Sequence, residues 1–175
     1  METTKHIIRA FIKARRKALA PGDSAVWSAV VMDKIAAMDE FQRAKTVLAY
    51  WPLPGEVDTT SLVTSGQKRF ILPVVDGDDL ILKQYDPARM AAGAFGILEP
   101  TADAVTVQPE EIDFAIIPGV AFDPEGGRLG RGRGFYDRLL PALSCPTAGV
   151  AFPFQMIDRI PADPWDIPMD VVVTP

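Results

Sequence analysis

The sequence is poor in the residues that most often build covalent or multi-ligand metal sites. Its 175 residues include one cysteine, Cys145, and one histidine, His6. A single cysteine excludes a disulfide framework within the chain. A single histidine means that a Ser-His-Asp hydrolase or a multi-histidine metal site would depend on His6 alone. We interpret both residues as structural or exposed.

Long hydrophobic runs are absent as well. No segment approaches the roughly 18 apolar residues that a membrane-spanning helix needs, and Met1–Lys5 does not resemble the start of a secretory signal. The sequence therefore predicts a cytoplasmic protein without a membrane partner. Its length is that of one ordinary domain. We expect one domain over residues 1–175, with 48% apolar residues to form its core.

Basic residues are outnumbered in this chain. It carries 18 Lys and Arg against 23 Asp and Glu, a net charge of -5, which excludes nucleic-acid binding through overall charge. Basic residues nevertheless concentrate in the first twenty positions and in residues 128–138, which contain four arginines. Two basic segments in an acidic chain favour a small anionic ligand over a nucleic acid.

The hydrophobic pattern predicts two helices near the amino terminus. The first covers Lys5–Leu19, and the second has Asp23 as its N-cap and ends near Met38. A period of 3.6 residues gives the first helix one apolar face. This face consists of Ile8, Phe11, Ile12 and Leu19.

Short apolar segments bounded by Gly, Pro or Asp follow, and several are apolar throughout, as strands buried on both faces would be. Two helical stretches lie between them, and this alternation predicts an α/β fold. We expect a three-layer sandwich in which helices flank a mostly parallel sheet. The predicted strands are Thr46–Trp51, Arg69–Val75, Leu80–Tyr85, Phe114–Val120, Thr147–Phe152 and Val171–Thr174, and the helical stretches are Thr59–Ser65 and Phe135–Leu143.

The segment most indicative of chemistry is rich in glycine and arginine. Five glycines fall within residues 126–134, interleaved with Arg128, Arg131 and Arg133. Backbone N–H groups of such a loop can approach a phosphate closely, the following helix adds its dipole, and arginine binds phosphate through two parallel hydrogen bonds. The loop matches neither the Walker A nor the dinucleotide pattern. The alternatives are a flexible turn with solvated arginines, or an RNA-binding tail, which the flanking apolar segments disfavour.

Three further groups are candidates for ligand contacts. Lys5, Arg9 and Lys13 follow the flank of the first helix, and their alternative role is a solvated surface. Trp51 offers a stacking ring and Glu56 a carboxylate after a strand, where α/β sheets bind ligands; a hydrophobic plug and a helix cap at Asp58 are the alternative. Two aspartates precede the last strand, where such residues mostly form turns. They are Asp166 and Asp170.

Together these residues resemble the 5-formyltetrahydrofolate cyclo-ligase family, also called methenyltetrahydrofolate synthetase, over nearly the whole chain. The most specific match is Arg128-Leu129-Gly130-x-Gly132-x-Gly134-x-Tyr136-Asp137. The other matching segments are Lys5-x-x-x-Arg9, Gly55-Glu56-Val57-Asp58-Thr59, Gly96-Ile97-x-Glu99-Pro100, Pro118-Gly119-x-x-Phe122-Asp123, and the pair Asp166 and Asp170.

The resemblance implies an ATP- and Mg²⁺-dependent closure of 5-formyltetrahydrofolate, with or without a polyglutamate tail, to 5,10-methenyltetrahydrofolate, releasing ADP and phosphate. It implies catalytic roles for Arg128 and Arg131, and Mg²⁺ ligands at Asp137 and Asp166. The implied ATP contacts are Lys5, Arg9, Arg128, Leu129, Gly130, Arg131, Gly132, Arg133, Gly134, Phe135 and Tyr136. The implied folate contacts are Trp51, Glu56, Arg131, Gly132, Arg133, Gly134 and Phe135.

Some positions depart from the family pattern. Phe135 stands where the family usually has tyrosine, and Trp165 where bacterial members often have histidine. Asp163 has no family counterpart, so we expect Asp163→Asn to leave the Mg²⁺ dependence of turnover unchanged. Arg128 lies in a loop, and we expect it to be exposed and to contribute little to stability.

The implied chemistry suits a site of this composition. Phosphorylating the formyl oxygen turns a poor leaving group into phosphate, after which N10 can attack the activated carbon. Phosphoryl transfer needs positioning and charge neutralisation more than a protein nucleophile. Two alternatives remain: another α/β enzyme acting on a nucleotide or sugar phosphate, and a non-catalytic nucleotide-binding module.

Overall fold

The computed structural model describes residues 2–93 and 96–175. The helices are α1 (Glu2–Lys17), α2 (Pro21–Ala37), α3 (Asp39–Arg43), α4 (Thr60–Val63) and α5 (Phe135–Leu139). The strands are β1 (Thr46–Leu48), β2 (Arg69–Asp76), β3 (Asp79–Gln84), β4 (Met90–Ala92), β5 (Leu98–Pro100), β6 (Thr106–Val107), β7 (Phe114–Ile117), β8 (Ala121–Phe122), β9 (Arg128–Leu129), β10 (Thr147–Val150) and β11 (Val171–Val173). Short 3₁₀ helices are Pro87–Arg89, Pro109–Glu111, Leu140–Ala142 and Pro153–Gln155.

A seven-stranded sheet forms the centre, in the order β11-β10-β7-β1-β2-β3-β6. The strands from β11 to β2 are parallel, with Val47 of β1 opposite Phe70 of β2 on one side and Phe114 of β7 on the other. β3 and β6 extend one edge in antiparallel fashion. The α/β fold with a mostly parallel sheet flanked by helices is therefore confirmed, and the hairpin between β2 and β3 was not predicted.

Two apolar cores lie on opposite faces of this sheet, because successive strand residues alternate between its faces. Val47 and Phe114 pack against α2, α3 and α4 on one face. Leu48 and Ala115 pack on the other face, together with Leu139 of α5. Both layers of helices that the sequence predicts are present.

Helix α1 packs against the β8–β9 hairpin instead of the central sheet. Its buried contact residue is Ile12, which clusters with Val120 and Leu129. The predicted apolar face of α1 is not buried along its whole length, since Phe11 is 49% exposed. A two-stranded hairpin is too narrow to cover a wide helix face, and the guanidinium of Arg15 lies over the Phe11 ring at 5.2 Å.

The predicted boundaries differ from the structure at several ends. Asp23 is not the N-cap of α2, because the cap is Ala20 and Pro21 is the first helical residue. Proline suits that position, since its fixed φ is helical and its missing N–H would have no partner there. β1 ends at Leu48, and the helix after the glycine-rich loop stops at Leu139 and continues as a 3₁₀ turn.

The chain order reverses at the centre of the sheet. From β1 the chain continues to β2 on one side, whereas β7, β10 and β11 lie on the other side. The carboxyl ends of β1 and β7 therefore flank a switch point, where open α/β sheets form ligand crevices. Tyr50 and Trp51 follow β1 at this point, and Pro118 and Gly119 follow β7.

Candidate active site

A cavity of about 650 Å³ lies at this switch point. All the residues to which the family resemblance gives a role line it, so these distant segments come together in space, whereas the candidates Lys13 and Asp170 do not line it. The residues with such a role are Lys5, Arg9, Trp51, Glu56, Arg128, Leu129, Gly130, Arg131, Gly132, Arg133, Gly134, Phe135, Tyr136, Asp137 and Asp166.

The glycine-rich loop forms one wall of this cavity. Gly132 and Gly134 have φ values of 97° and 71°, which other residues rarely adopt, and Gly134 is the N-cap of α5. Arg9 Nε donates to the Gly130 carbonyl at 3.0 Å and so attaches α1 to the loop. Because α5 is only five residues long, the helix dipole that the sequence predicts here is small, and the loop amides and arginines are the main candidate donors for an anion.

Arg128 lies beneath the loop. Its side chain is only 6% exposed, so the prediction of an exposed arginine is wrong. The guanidinium donates to the Pro118 carbonyl at 3.1 Å and to Asp137 Oδ1 at 3.1 Å, and it lies over the Tyr136 ring. Burial lowers the pKa of Arg128, and Asp137 opposes that shift. A buried cation whose charge is only partly compensated is well suited to bind an anion.

Glu56 faces the loop from the other side of the cavity. Its carboxylate is 9% exposed and accepts from Arg131 Nη2 at 3.1 Å and from the Leu53 amide at 2.8 Å. Arg16 packs behind this turn, and the Nε and Nη2 atoms of Arg16 are buried without a hydrogen-bond partner. Burial lowers the pKa of Arg16, Arg131 lowers it further, and Glu56 raises it. Arg16 therefore places a second positive charge near the Glu56 carboxylate.

Aromatic side chains form the wall next to β1. The Trp51 ring stacks on Tyr85 with 6.2 Å between centroids and 22° between planes. Tyr50 is buried and donates from its hydroxyl to the Val57 carbonyl at 2.7 Å. Burial raises the pKa of Tyr50 well above its usual range. The N-cap of α4 is Thr59 and not Asp58, as the alternative interpretation had it, although Asp58 Oδ1 accepts from the amide of Thr60, the first residue of α4, at 2.8 Å.

Lys5 marks the opposite rim. Its ammonium donates to Asp163 Oδ2 at 2.7 Å and lies 3.9 Å from Asp166 Oδ2. Both carboxylates are less than a quarter exposed. No role was assigned to Asp163 from the sequence, whereas in the structure its carboxylate contacts a cavity residue. The partners are 158 positions apart, so no local pattern signals this pair.

Phe135 and Arg138 connect the loop to the β2–β3 hairpin. The Phe135 ring has the guanidinium groups of Arg133 and Arg138 at 5.1 Å and 5.7 Å. Arg138 donates to the Arg133 carbonyl at 3.0 Å, to Asp79 at 3.1 Å and to the Asp78 carbonyl. These contacts hold the loop in place from outside the cavity, a function that the sequence analysis did not assign to Arg138.

A Mg²⁺ ion at this site would take some of its ligands from the protein and the rest from a bound substrate. Within residues 2–93 and 96–175, no group of three or more His, Cys, Asp or Glu could hold a metal ion. Mg²⁺ in phosphate sites needs only one or two carboxylates, the rest being phosphate and water. Asp137 and Asp166 line the same cavity, so they are carboxylates that could hold a phosphate-bound Mg²⁺ there.

Several cavity residues were not nominated from the sequence. They include apolar residues of the β2–β3 hairpin, and also Ile97, Glu99, Pro118 and Gly119, which belong to segments that match the family but were given no role. The additional lining residues are Tyr50, Leu53, Pro73, Val75, Leu80, Ile97, Leu98, Glu99, Pro118 and Gly119. These side chains give the cavity apolar surface beside its charged wall. Such a combination can hold a ring system and an anion together.

Comparisons with known proteins agree with one another. The model of the 5-formyltetrahydrofolate cyclo-ligase family matches residues 1–175. A curated relative named 5-formyltetrahydrofolate cyclo-ligase from Escherichia coli (strain K12) is 33% identical, covering 94% of this chain and 96% of the relative. The NMR structure of Aquifex aeolicus 5,10-methenyltetrahydrofolate synthetase is 42% identical with a TM-score of 0.87, covering 97% of this chain and 88% of that one. A 5,10-methenyltetrahydrofolate synthetase structure from Mycoplasma pneumoniae is 28% identical with a TM-score of 0.78, covering 97% and 98%.

Proposed function

This chain belongs to the 5-formyltetrahydrofolate cyclo-ligase family and is a ligase, and we propose that it converts 5-formyltetrahydrofolate to 5,10-methenyltetrahydrofolate with ATP, releasing ADP and phosphate. The observation that carries this proposal is one cavity in which a charged loop faces an aromatic and apolar wall. A nucleotide phosphate chain and a folate ring need these two kinds of surface.

The ATP phosphates lie against the glycine-rich loop in this proposal. Among the described residues, five basic side chains line the cavity: Lys5, Arg9, Arg128, Arg131 and Arg133. Loop amides near Gly132 and Gly134 add uncharged donors that can approach phosphate oxygens, because glycine leaves the backbone open.

The folate ring lies between the loop and the wall formed by Trp51 and Leu53. Glu56 is the carboxylate that accepts from ring N–H donors, since one of its oxygens is already oriented by the Leu53 amide. Its other oxygen contacts Arg131. We propose that Arg131 then moves toward the reacting phosphate, and that the positive charge of Arg16 compensates Glu56 after this move.

Mg²⁺ would be held by Asp137 and Asp166 together with the ATP phosphates. When bound, it neutralises phosphate charge and orients the transferred group. Asp137 Oδ1 accepts a hydrogen bond from Arg128, and the Asp137 side chain is 51% exposed, so its carboxylate is still accessible from the cavity. Asp166 accepts from the Asp163 amide at 2.8 Å, which fixes its orientation.

The reaction proceeds in two steps in this proposal. The formyl oxygen first attacks the γ-phosphate, forming a phosphorylated formyl (iminium phosphate) intermediate and ADP. N10 then attacks the formyl carbon, loses its proton, and phosphate leaves as the ring closes. Arg128 and Arg131 stabilise the charge that develops on the transferred phosphoryl group. No residue needs to act as a covalent nucleophile.

Other predictions accompany this function. No helix in the described part of the chain combines the length and apolar character needed to cross a bilayer. A cytoplasmic location, the absence of nucleic-acid and membrane partners, acceptance of polyglutamate tails and a single domain over residues 1–175 stay predictions.

A turnover assay tests the proposal directly. The methenyl product conjugates an amidinium with the ring system, so a near-ultraviolet band should appear only with ATP, Mg²⁺ and 5-formyltetrahydrofolate together. The omission of each component in turn is the control. If folded protein binds ATP but never produces the band, the chain is a nucleotide-binding module instead, and calorimetry with ATP detects that case.

A further inference from the structure

We propose that Asp163, which does not line the cavity, is a positioning residue that holds the ammonium of Lys5 at the nucleotide phosphates. The inference rests on the proposed function, because it assumes that Lys5 contacts ATP. The observation behind it is the 2.7 Å contact from Lys5 Nζ to Asp163 Oδ2. Lys5 and Asp166 line the cavity, whereas Asp163 stands behind them.

Lys5 occupies an unfavourable place for a cation. It lies in the first turn of α1, a helix of 16 residues, where the helix dipole is positive. A lysine side chain also has several rotatable bonds, so that keeping its end at one point costs conformational entropy. A carboxylate at hydrogen-bond distance compensates both effects. The Lys5 side chain is accordingly only 13% exposed.

Asp163 is itself held rigidly. Its amide donates to Asp166 Oδ2 at 2.8 Å, and the Asp166 amide donates back to the Asp163 carbonyl at 3.0 Å. The surrounding segment is attached at both ends. Ile160 N donates to Asp123 Oδ2 at 2.8 Å, and Met169 N donates to the Gly126 carbonyl at 2.8 Å. The Asp163 carboxylate therefore has a defined position relative to the cavity.

The same turn orients two cavity residues by different means. Main-chain hydrogen bonds of the turn orient Asp166, so they survive replacement of the Asp163 side chain. The Asp163 carboxylate makes a short contact to Lys5, at 2.7 Å, whereas Asp166 Oδ2 lies 3.9 Å away. An ammonium has three N–H donors, so one bond to Asp163 is compatible with a second to a phosphate oxygen. Substitution at position 163 should therefore affect Lys5 specifically.

A double-mutant cycle on the full chain tests the inference. Asp163→Asn, Asp163→Ala, Lys5→Met and the two double variants are titrated with Mg²⁺–ATP in a calorimeter without folate. Loss of one ordered long side chain should raise the Kd for ATP by about 2- to 10-fold in the two Asp163 variants. In the Lys5→Met background the Asp163 substitutions should have no further effect. The KM for 5-formyltetrahydrofolate should stay unchanged.

Asp158→Asn is the matched control, because Asp158 is an exposed aspartate shortly before the turn. A merely structural role of Asp163 would persist in the Lys5→Met background, and that result overturns the inference. Tighter ATP binding in Asp163→Asn also overturns it, because Asp163 would then compete with phosphate for Lys5. If the wild-type chain binds no ATP at all, the proposed function fails with it, whereas ATP binding without coupling refutes only the role of Asp163.

Discussion

Arg128 allows stability and activity to be separated by two substitutions. Arg128→Ala removes the charge and the buried stem, whereas Arg128→Met removes the charge and keeps an apolar chain of similar length. The stem lies beside Gly119, and the two methylenes beyond Cβ, which alanine lacks, contribute about 1.6 kcal/mol at roughly 0.8 kcal/mol each. The guanidinium opposes folding, since burial lowers the pKa of Arg128. Its two hydrogen bonds partly offset this cost.

We therefore expect Arg128→Ala to lose about 2 kcal/mol of unfolding free energy and Arg128→Met about 1 kcal/mol or less. For a chain of this size, a loss of about 2 kcal/mol lowers Tm by roughly 4–8 °C. Both substitutions remove the same charged contact to phosphate, worth about 1.5–3 kcal/mol, so both should lower kcat/KM by roughly 10- to 150-fold.

Thermal unfolding and the near-ultraviolet turnover assay measure the two effects on the same samples. Arg159→Ala is the control, because Arg159 is exposed and outside the cavity. Activity of Arg128→Met within about threefold of wild type would refute a phosphate contact at Arg128. Equal Tm values for the wild type, Arg128→Ala and Arg128→Met would refute the buried position of the Arg128 side chain.

Three further predictions concern the metal, the Glu56 turn and the thiol. Asp137→Asn should raise the Mg²⁺ concentration for half-maximal turnover by at least about tenfold, whereas the control Asp158→Asn should leave it unchanged. An unaltered Mg²⁺ titration in both Asp137→Asn and Asp166→Asn would show that these aspartates serve only in an ion pair and a turn. Gly55→Ala should destabilise the fold by about 1–3 kcal/mol in urea unfolding, since Gly55 has a φ of 80° and a Cβ there would lie 2.5 Å from Arg16 Cγ. Gly66→Ala is the control, with a φ of 72° and nothing within 4 Å, and an equal loss in both would exclude the contact with Arg16. Burial raises the pKa of Cys145 from 9.0 to about 11, which favours the neutral thiol in the folded chain. The contribution of the neutral Cys145 thiol to stability is therefore present below pH 9 and lost as the pH rises toward 11. Iodoacetamide at pH 8 should modify Cys145 in the folded chain at least about tenfold more slowly than in the urea-unfolded chain. Equal modification rates would contradict the burial of this thiol.

Features that depend on neighbouring residues could be predicted from the sequence. Continuous apolar segments indicated buried strands, because a parallel sheet covered on both faces has no polar side. Glycines and arginines in one short segment indicated an anion-binding loop, because the backbone conformation and the charge of such a loop are local properties. The family resemblance then indicated which distant segments share a cavity. The structure brings Lys5, Glu56, Arg128 and Asp166 to that cavity, and their individual roles stay predictions.

How each charge is compensated could not be predicted from the sequence and follows from the folded chain. Burial of Arg128 depends on the approach of Pro118 and Tyr136, and the pairing of Lys5 with Asp163 joins opposite ends of the chain. The exposure of Phe11 likewise depends on the narrow hairpin that α1 covers. Helical and strand periods describe which side of an element is apolar, but they contain no information about what packs on that side. Burial and long-range ion pairs arise from the path of the whole chain, so they appear only when it is folded.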